Sequence, residues 1–275
     1  MKGISIYMLI GNKEFDVNNH TYIMGILNVT PDSFSDGGNY NRIDKALFRV
    51  EAMIKEGMDL LDIGGESTRP GYEQISEEEE IERVVPVLEK VKETFDIPIS
   101  LDTYKSKVAM AGIQAGADMI NDIWGLLYDR EMAKVIASSR VACCLMHNRK
   151  EAVYQSFFEE VVGDLNHMLQ IASREGIKKE KIILDPGVGF GKSYEHNLEI
   201  IRRVEELKKM GYPILLGASR KSVVGLTLNL PVEERLNGTL AISAYGVLKG
   251  CSFLRVHDIK QNKEVVKMLE AVLNI

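Results

Sequence analysis

The 275-residue sequence holds only three cysteines, Cys143, Cys144 and Cys251, and no CxxC pair. That is too few for a disulfide framework or a zinc cage, so they read as reduced core residues of a cytosolic protein. No apolar run approaches the ~18 residues of a membrane span. The apolar stretch 4–10 after Lys2 is short, lacks a small-residue cleavage site and turns polar at Gly11-Asn12. It reads as a strand entering a hairpin rather than a secretory signal. A basic excess is absent too: 40 Asp+Glu against 34 Lys+Arg leave a net charge of −6, which argues against a broad nucleic-acid footprint. There is no Pro/Ser/Gly-rich linker, no HExxH and no GxSxG nucleophile elbow. The glycine-rich stretch Gly187 to Ser193 fails as a P-loop, because Pro186 stands where the first glycine is required. It fails as GxGxxG because Lys192 takes the last glycine position. Nucleotide binding is not supported.

What is present is a globular composition, 45% apolar and 27% charged, with enough length for a large core. After a hairpin expected over 4–10 and 14–17, eight short apolar runs follow at 23–29, 60–63, 97–101, 119–123, 141–146, 182–184, 214–216 and 253–256. Amphipathic segments alternate with them, at 44–56, 76–94, 106–115, 159–175, 195–209, 239–248 and 265–273. Ser76 and Glu79 stand at capping-box spacing, and Pro86 predicts a kink or a break in the helix they open. Eight strand–helix units without a linker indicate an α/β fold, a single (β/α)8 barrel of the TIM type over 1–275. Residues 1–21 form an N-terminal hairpin capping it. An open doubly wound sheet is the structural alternative.

Catalytic groups of such a barrel lie at the C-terminal strand ends, and here those ends are polar. Asp102, Asn121 and Asp185 form a ring of acceptors suited to a flat heterocycle that presents N–H donors. Arg69, Lys192, Arg220, Lys221, Arg255 and His257 supply cations on an otherwise acidic chain. Their convergence on one rim points to an anionic, phosphorylated substrate. Singly, each has a plainer reading: a strand-end Asp as a helix cap, Arg69 or Lys192 as a solvated loop cation, His257 as a cap of the last helix. The run Glu77 to Glu80 is expected to be a solvated first turn, and Met110, Met132, Met168 and Met268 are expected to be core.

The segment Met24-Gly25-Ile26-Leu27-Asn28-Val29-Thr30-Pro31-Asp32-Ser33-Phe34-Ser35-Asp36-Gly37-Gly38 resembles the signature of the dihydropteroate synthase family. Blocks at 66–71, 185–192, 219–222 and 255–258 match in the same order, so the resemblance covers nearly the whole chain. It implies a folate-pathway transferase, the target of sulfonamides, that joins 6-hydroxymethyl-7,8-dihydropterin diphosphate to p-aminobenzoate with Mg²⁺ assisting. It further implies that Asp102, Asn121 and Asp185 hold the pterin's donor edge, that Lys221 meets its carbonyl and that Arg255 lies on its face. Met146, Phe190 and Gly217 would line that pocket. Asn28 and Asp36 would hold Mg²⁺ and diphosphate, Arg69, Arg255 and His257 the anion, and Phe34, Thr68, Pro70, Phe190 and Ser222 the p-aminobenzoate. The resemblance also implies a homodimer. Rival readings are a pterin-binding methyltransferase barrel of corrinoid systems, a Schiff-base aldolase using Lys192 or Lys221, and a paralogue that binds pterin without catalysis.

Overall fold

In the computed structural model, residues 5–30, 39–66 and 74–274 are described, the side chains of 39–42 excepted. Phe34, Asp36, Thr68, Arg69 and Pro70 therefore lie outside the described residues. Strands β1 (Tyr7–Ile10) and β2 (Lys13–Asp16) pair antiparallel as a hairpin. The eight apolar runs become β3 (Tyr22–Asn28), β4 (Leu60–Gly64), β5 (Ile99–Asp102), β6 (Met119–Asp122), β7 (Ala142–Met146), β8 (Ile182–Asp185), β9 (Leu215–Leu216) and β10 (Phe253–Val256). All neighbours are parallel, in the order β8-β7-β6-β5-β4-β3-β10-β9. A parallel bridge from Leu184 to Ile214 joins the two ends, so the sheet closes as a barrel. The doubly wound alternative is excluded by that closure.

Burial on both faces explains why the strands read as continuous apolar runs rather than alternating ones. Inward, Met24, Leu60, Met119, Ala142, Cys144, Ile183, Leu215 and Phe253 fill the lower half of the barrel. The hairpin's Met8, Ile10, Phe15 and Val17 pack under them and plug the N-terminal end. Outward, residues such as Ile63, Leu101, Leu145 and Leu184 pack against the helices. An open, polar end is left only at the strands' C-termini.

Around the barrel run α1 (Asn39–Glu56), α2 (Glu77–Thr94), α3 (Ser106–Gln114), α4 (Met132–Ser139), α5 (Phe157–Arg174), α6 (Tyr194–Arg202), α7 (Val204–Leu207), α8 (Ser222–Leu228), α9 (Leu236–Leu248) and α10 (Ile259–Leu273). The short helices α4 and α8 were not expected from the pattern, and the segment read as one helix over 195–209 divides at Arg203. At Pro86 the expected break does not occur, since α2 runs through it. Pro86 and Glu82, one turn before it, both face solvent while Val84, Val87, Leu88 and Val91 bury the other side, so the missing N–H falls on the solvated face. Ser76 caps α2 by accepting from Glu79 N at 3.1 Å, but the Glu79 carboxylate turns to Arg83 instead of completing the box. Met132 and Met168 are core as expected, whereas Met268 is exposed and Met110 half-buried.

Candidate active site

The hydrogen-bond register places three of the expected residues on one level. Across adjacent strands Asn28 stands beside Gly64, Gly64 beside Asp102, and Asp102 beside Asn121. Gly64 supplies no side chain, and a Cβ there would sit 3.7 Å from Asn28 Oδ1 and 3.8 Å from Asp102 Oδ2. Asp185 ends β8 opposite Met146. A Cβ on Gly217 would lie 3.7 Å from both Asp185 Oδ2 and the Arg255 Cβ. Glycine thus keeps the floor open at two points between the acceptors.

Arg255 enters the mouth from β10. Its Nε donates to Asp62 Oδ2 at 2.7 Å and its Nη2 to Asp102 Oδ2 at 2.6 Å. Burial works against the guanidinium, but Asp62 and Asp102 outweigh it and hold it charged. Among the described residues, the buried Oδ1 atoms of Asp62 and Asp102 find no hydrogen-bond partner. A buried acceptor without a donor is costly, which marks Asp102 Oδ1 as a place for a ligand N–H. Burial pushes the Asp102 carboxyl up to about 7, with Arg255 opposing and Asp62 adding to the rise. Burial likewise raises Asp185, against the pull of Lys221 and a hydrogen bond from Gly187 N at 2.7 Å.

Lys221 caps α8, donates to the Val188 carbonyl and lies 4.6 Å over the Phe190 ring. Burial pulls its ammonium down to about 8, with Asp185 opposing. Phe190 packs with Met146, Tyr104, Ile123 and Trp124 along one wall. Ser222 opens α8 and is exposed at the rim. His257 is held at Nδ1 by Ser219 Oγ, 3.0 Å away, and its backbone N–H donates to the same hydroxyl at 3.2 Å.

Two of the six cations read from the sequence are not available to a ligand. Arg220 is clamped bidentate by Asp258 at 2.9 and 2.6 Å. Lys192 turns inward, with Nζ 2.8 Å from His147 Nδ1 and 3.0 Å from the Phe190 carbonyl. Burial lowers it to about 7 and, with Lys192 alongside, lowers His147 to about 3. The expectation of a fully solvated Glu77–Glu80 run fails at Glu80, which is 1% exposed and bonds to buried Lys105 at 2.8 Å. Lys105 also meets Glu66 at 2.5 Å. Sequence reading missed Asp62, Ser219 and the Glu66–Lys105–Glu80 cluster. The signal for Asp62 was there, a charged residue inside an apolar strand and in phase with Gly64.

No group of three His, Cys, Asp or Glu side chains among the described residues could hold a metal. Asn28 offers one neutral oxygen, which suits a hard cation that takes its other ligands from water and substrate phosphates.

Residues 24–257 match the pterin-binding enzyme family. The chain is 57% identical to the dihydropteroate synthase of Clostridium beijerinckii, over 97% of this chain and 99% of that protein. It is 50% identical to the Bacillus subtilis dihydropteroate synthase, over 92% and 89% of the two chains. This chain belongs to the dihydropteroate synthase family. A structure of the Clostridium difficile family member in the presence of pteroic acid superposes with a TM-score of 0.92 at 48% identity, covering 94% and 98% of the chains. The Yersinia pestis dihydropteroate synthase with a sulfonamide drug gives 0.92 at 38% identity, over 98% and 100%. As a dihydropteroate synthase the chain is a transferase of folate biosynthesis. The methyltransferase and aldolase readings are set aside by these relatives. No described helix is long and apolar enough to cross a membrane.

Proposed function

We propose that the chain condenses 6-hydroxymethyl-7,8-dihydropterin diphosphate with p-aminobenzoate, yielding 7,8-dihydropteroate and diphosphate by a dissociative displacement. The observation that carries this reading is the buried acceptor level of Asp102 and Asn121, with Asp185 close by, facing the cations of Arg255 and Lys221. A pterin presents N–H donors along one edge and a carbonyl beside them, so the carboxylates and amide take the edge and Lys221 the carbonyl. Arg255 lies against the ring and, with His257 and Arg69, holds the anion. Phe34, Thr68, Pro70, Phe190 and Ser222 receive p-aminobenzoate. The relatives solved with pteroic acid and with 4-aminobenzoic acid support both halves of that assignment.

The carbon–oxygen bond to diphosphate breaks with its electron pair leaving on the diphosphate, and the electron-rich pterin carries the resulting cation. The arylamine nitrogen then attacks that carbon and gives up a proton. No protein nucleophile is needed, in keeping with a sequence that holds no GxSxG nucleophile elbow. The protein's part is electrostatic: Arg255 and His257 meet the charge that builds on the leaving group. Phe190 and its neighbours keep water from the cation. Asn28 and Asp36 would hold Mg²⁺, which when bound neutralises charge on the diphosphate.

A homodimer is supported by α9, most of whose residues are apolar or glycine, and by Leu226, Leu228 and Leu248 exposed nearby. Sedimentation analysis at micromolar concentration tests it. Three buried free thiols support a cytoplasmic location. For the reaction, diphosphate release is measured with Mg²⁺, with and without p-aminobenzoate, and the pterin product is weighed. Release that depends on p-aminobenzoate and yields dihydropteroate supports the reading. Pterin binding without any release would leave a non-catalytic paralogue.

A further inference from the structure

Asp62 contacts no substrate in the reading above, yet it is the fully buried anion that Arg255 leans on. It lies on β4 two residues before Gly64 and so faces the barrel interior below the ligand level. Its Oδ2 accepts from Arg255 Nε at 2.7 Å and lies 3.4 Å from Asn121 Nδ2. A second nitrogen of the guanidinium, Nη2, donates to Asp102 Oδ2 at 2.6 Å. Arg255 is therefore shared between two carboxylates, and one of them is an acceptor that the pterin edge needs.

That sharing sets a problem that Asp62 solves. Pterin N–H groups that arrive at the open Oδ1 of Asp102 draw on the same carboxylate charge, which weakens the arginine's hold through Oδ2. A guanidinium tethered to Asp102 alone would compete with the pterin or be left with its charge uncompensated in a buried site, which is expensive. Nε and Nη2 are neighbouring but separate donors, each on its own carboxylate, and Asp62 lies below the ligand level. The Nε bond can stay intact while Nη2 yields.

We propose that Asp62 is a positioning residue for pterin capture: it retains Arg255 by Nε so that Asp102 can pass from the arginine to the pterin edge. The proposal rests on the pterin-site reading given above. A merely structural Asp62 would change stability alone, with its effect on ligand binding independent of Arg255.

The test is a double-mutant cycle with Asp62→Asn and Arg255→Ala, read as calorimetric binding of pteroic acid, which does not turn over. Asp62→Asn is near-isosteric, and Asp62→Ser serves if the Asn variant does not fold. In the parent background Asp62→Asn is expected to weaken pteroic acid binding by ~10-fold or more, and in the Arg255→Ala background by under ~2-fold. In steady state Asp62→Asn should lower kcat/KM for the pterin diphosphate by ~100-fold, the scale of a misplaced catalytic group. The KM for p-aminobenzoate should stay within ~2-fold. Equal losses in both backgrounds, or parent-like binding by Asp62→Asn, overturn the proposal while the site reading stands. Parent-like binding and turnover by Arg255→Ala overturn the site reading and the proposal with it.

Discussion

Replacing Lys105 by Met would isolate two buried carboxylates. Lys105, Glu66 and Glu80 are 4%, 6% and 1% exposed, and the ammonium bonds to Glu66 at 2.5 Å, Glu80 at 2.8 Å and the Ile75 carbonyl at 2.8 Å. Glu66 also accepts from Tyr104 Oη at 2.5 Å and Ile75 N at 3.2 Å. The cluster thus ties together the residues on either side of 67–73. Removing one partner of a buried ionic network costs about 3–5 kcal/mol. With unfolding entropy of ~2.1 cal/mol/K per residue, a loss of ~4 kcal/mol lowers the Tm by ~7 °C. The pH dependence gives the sharper test. Burial raises the Glu80 carboxyl, with Lys105 opposing; without Lys105 the rise is larger, so the folded variant binds protons more readily than the unfolded chain. Stability of the variant then falls as pH climbs above the unfolded carboxylate pKa of ~4.3 and recovers on acidification. The deficit against the parent should be greatest near pH 8 and shrink toward pH 5, and adding Glu80→Gln should restore part of it. Calorimetric scans at several pH values measure this. A deficit below ~1 kcal/mol, or one that ignores pH, refutes the argument.

Three other outcomes are expected. Asn28→Ala and Arg255→Ala should each lower turnover by ~10²-fold or more, the usual loss of an electrostatic stabiliser. Tm should stay within a few degrees of the parent for Asn28→Ala and fall further for Arg255→Ala, which strands Asp62 and Asp102; a normal rate in either would sink the dissociative scheme. The pH profile of kcat/KM for the pterin diphosphate should be a bell. Its acid limb lies about 7, as Asp102 ionises to accept N–H groups, and its alkaline limb about 8, as Lys221 loses its proton. Arg255→Ala removes the cation that lowers Asp102, so its acid limb should move up, and a flat profile counts against both assignments. Gly187→Ala should destabilise by about 3 kcal/mol in denaturant unfolding, because φ is +69° and a Cβ would meet the His147 carbonyl oxygen at 1.9 Å. Parent-like stability would show that this turn relaxes freely.

The architecture was legible in the sequence for a simple reason. Strands buried on both faces leave unbroken apolar runs, and eight such runs at barrel spacing leave few alternatives. The ring of Asp102, Asn121 and Asp185 was legible because a polar group ending an apolar strand has one natural place to point. Asp62 lies inside the apolar run 60–63 and pattern alone gives it no role, since only the pairing of β10 with β3, itself beside β4, brings Arg255 to it. The same kind of ambiguity misled at Glu80 and Lys192. A charged residue on a helix or loop looks solvated until its partners are known, and Lys105 and His147 lie 25 and 45 positions away. Local pattern determined which residues form strands and helices and which strand ends carry chemistry. The folded barrel alone decided which charges neutralise one another and which remain for a ligand, because Coulomb pairing depends on distance in space and on burial, not on distance along the chain.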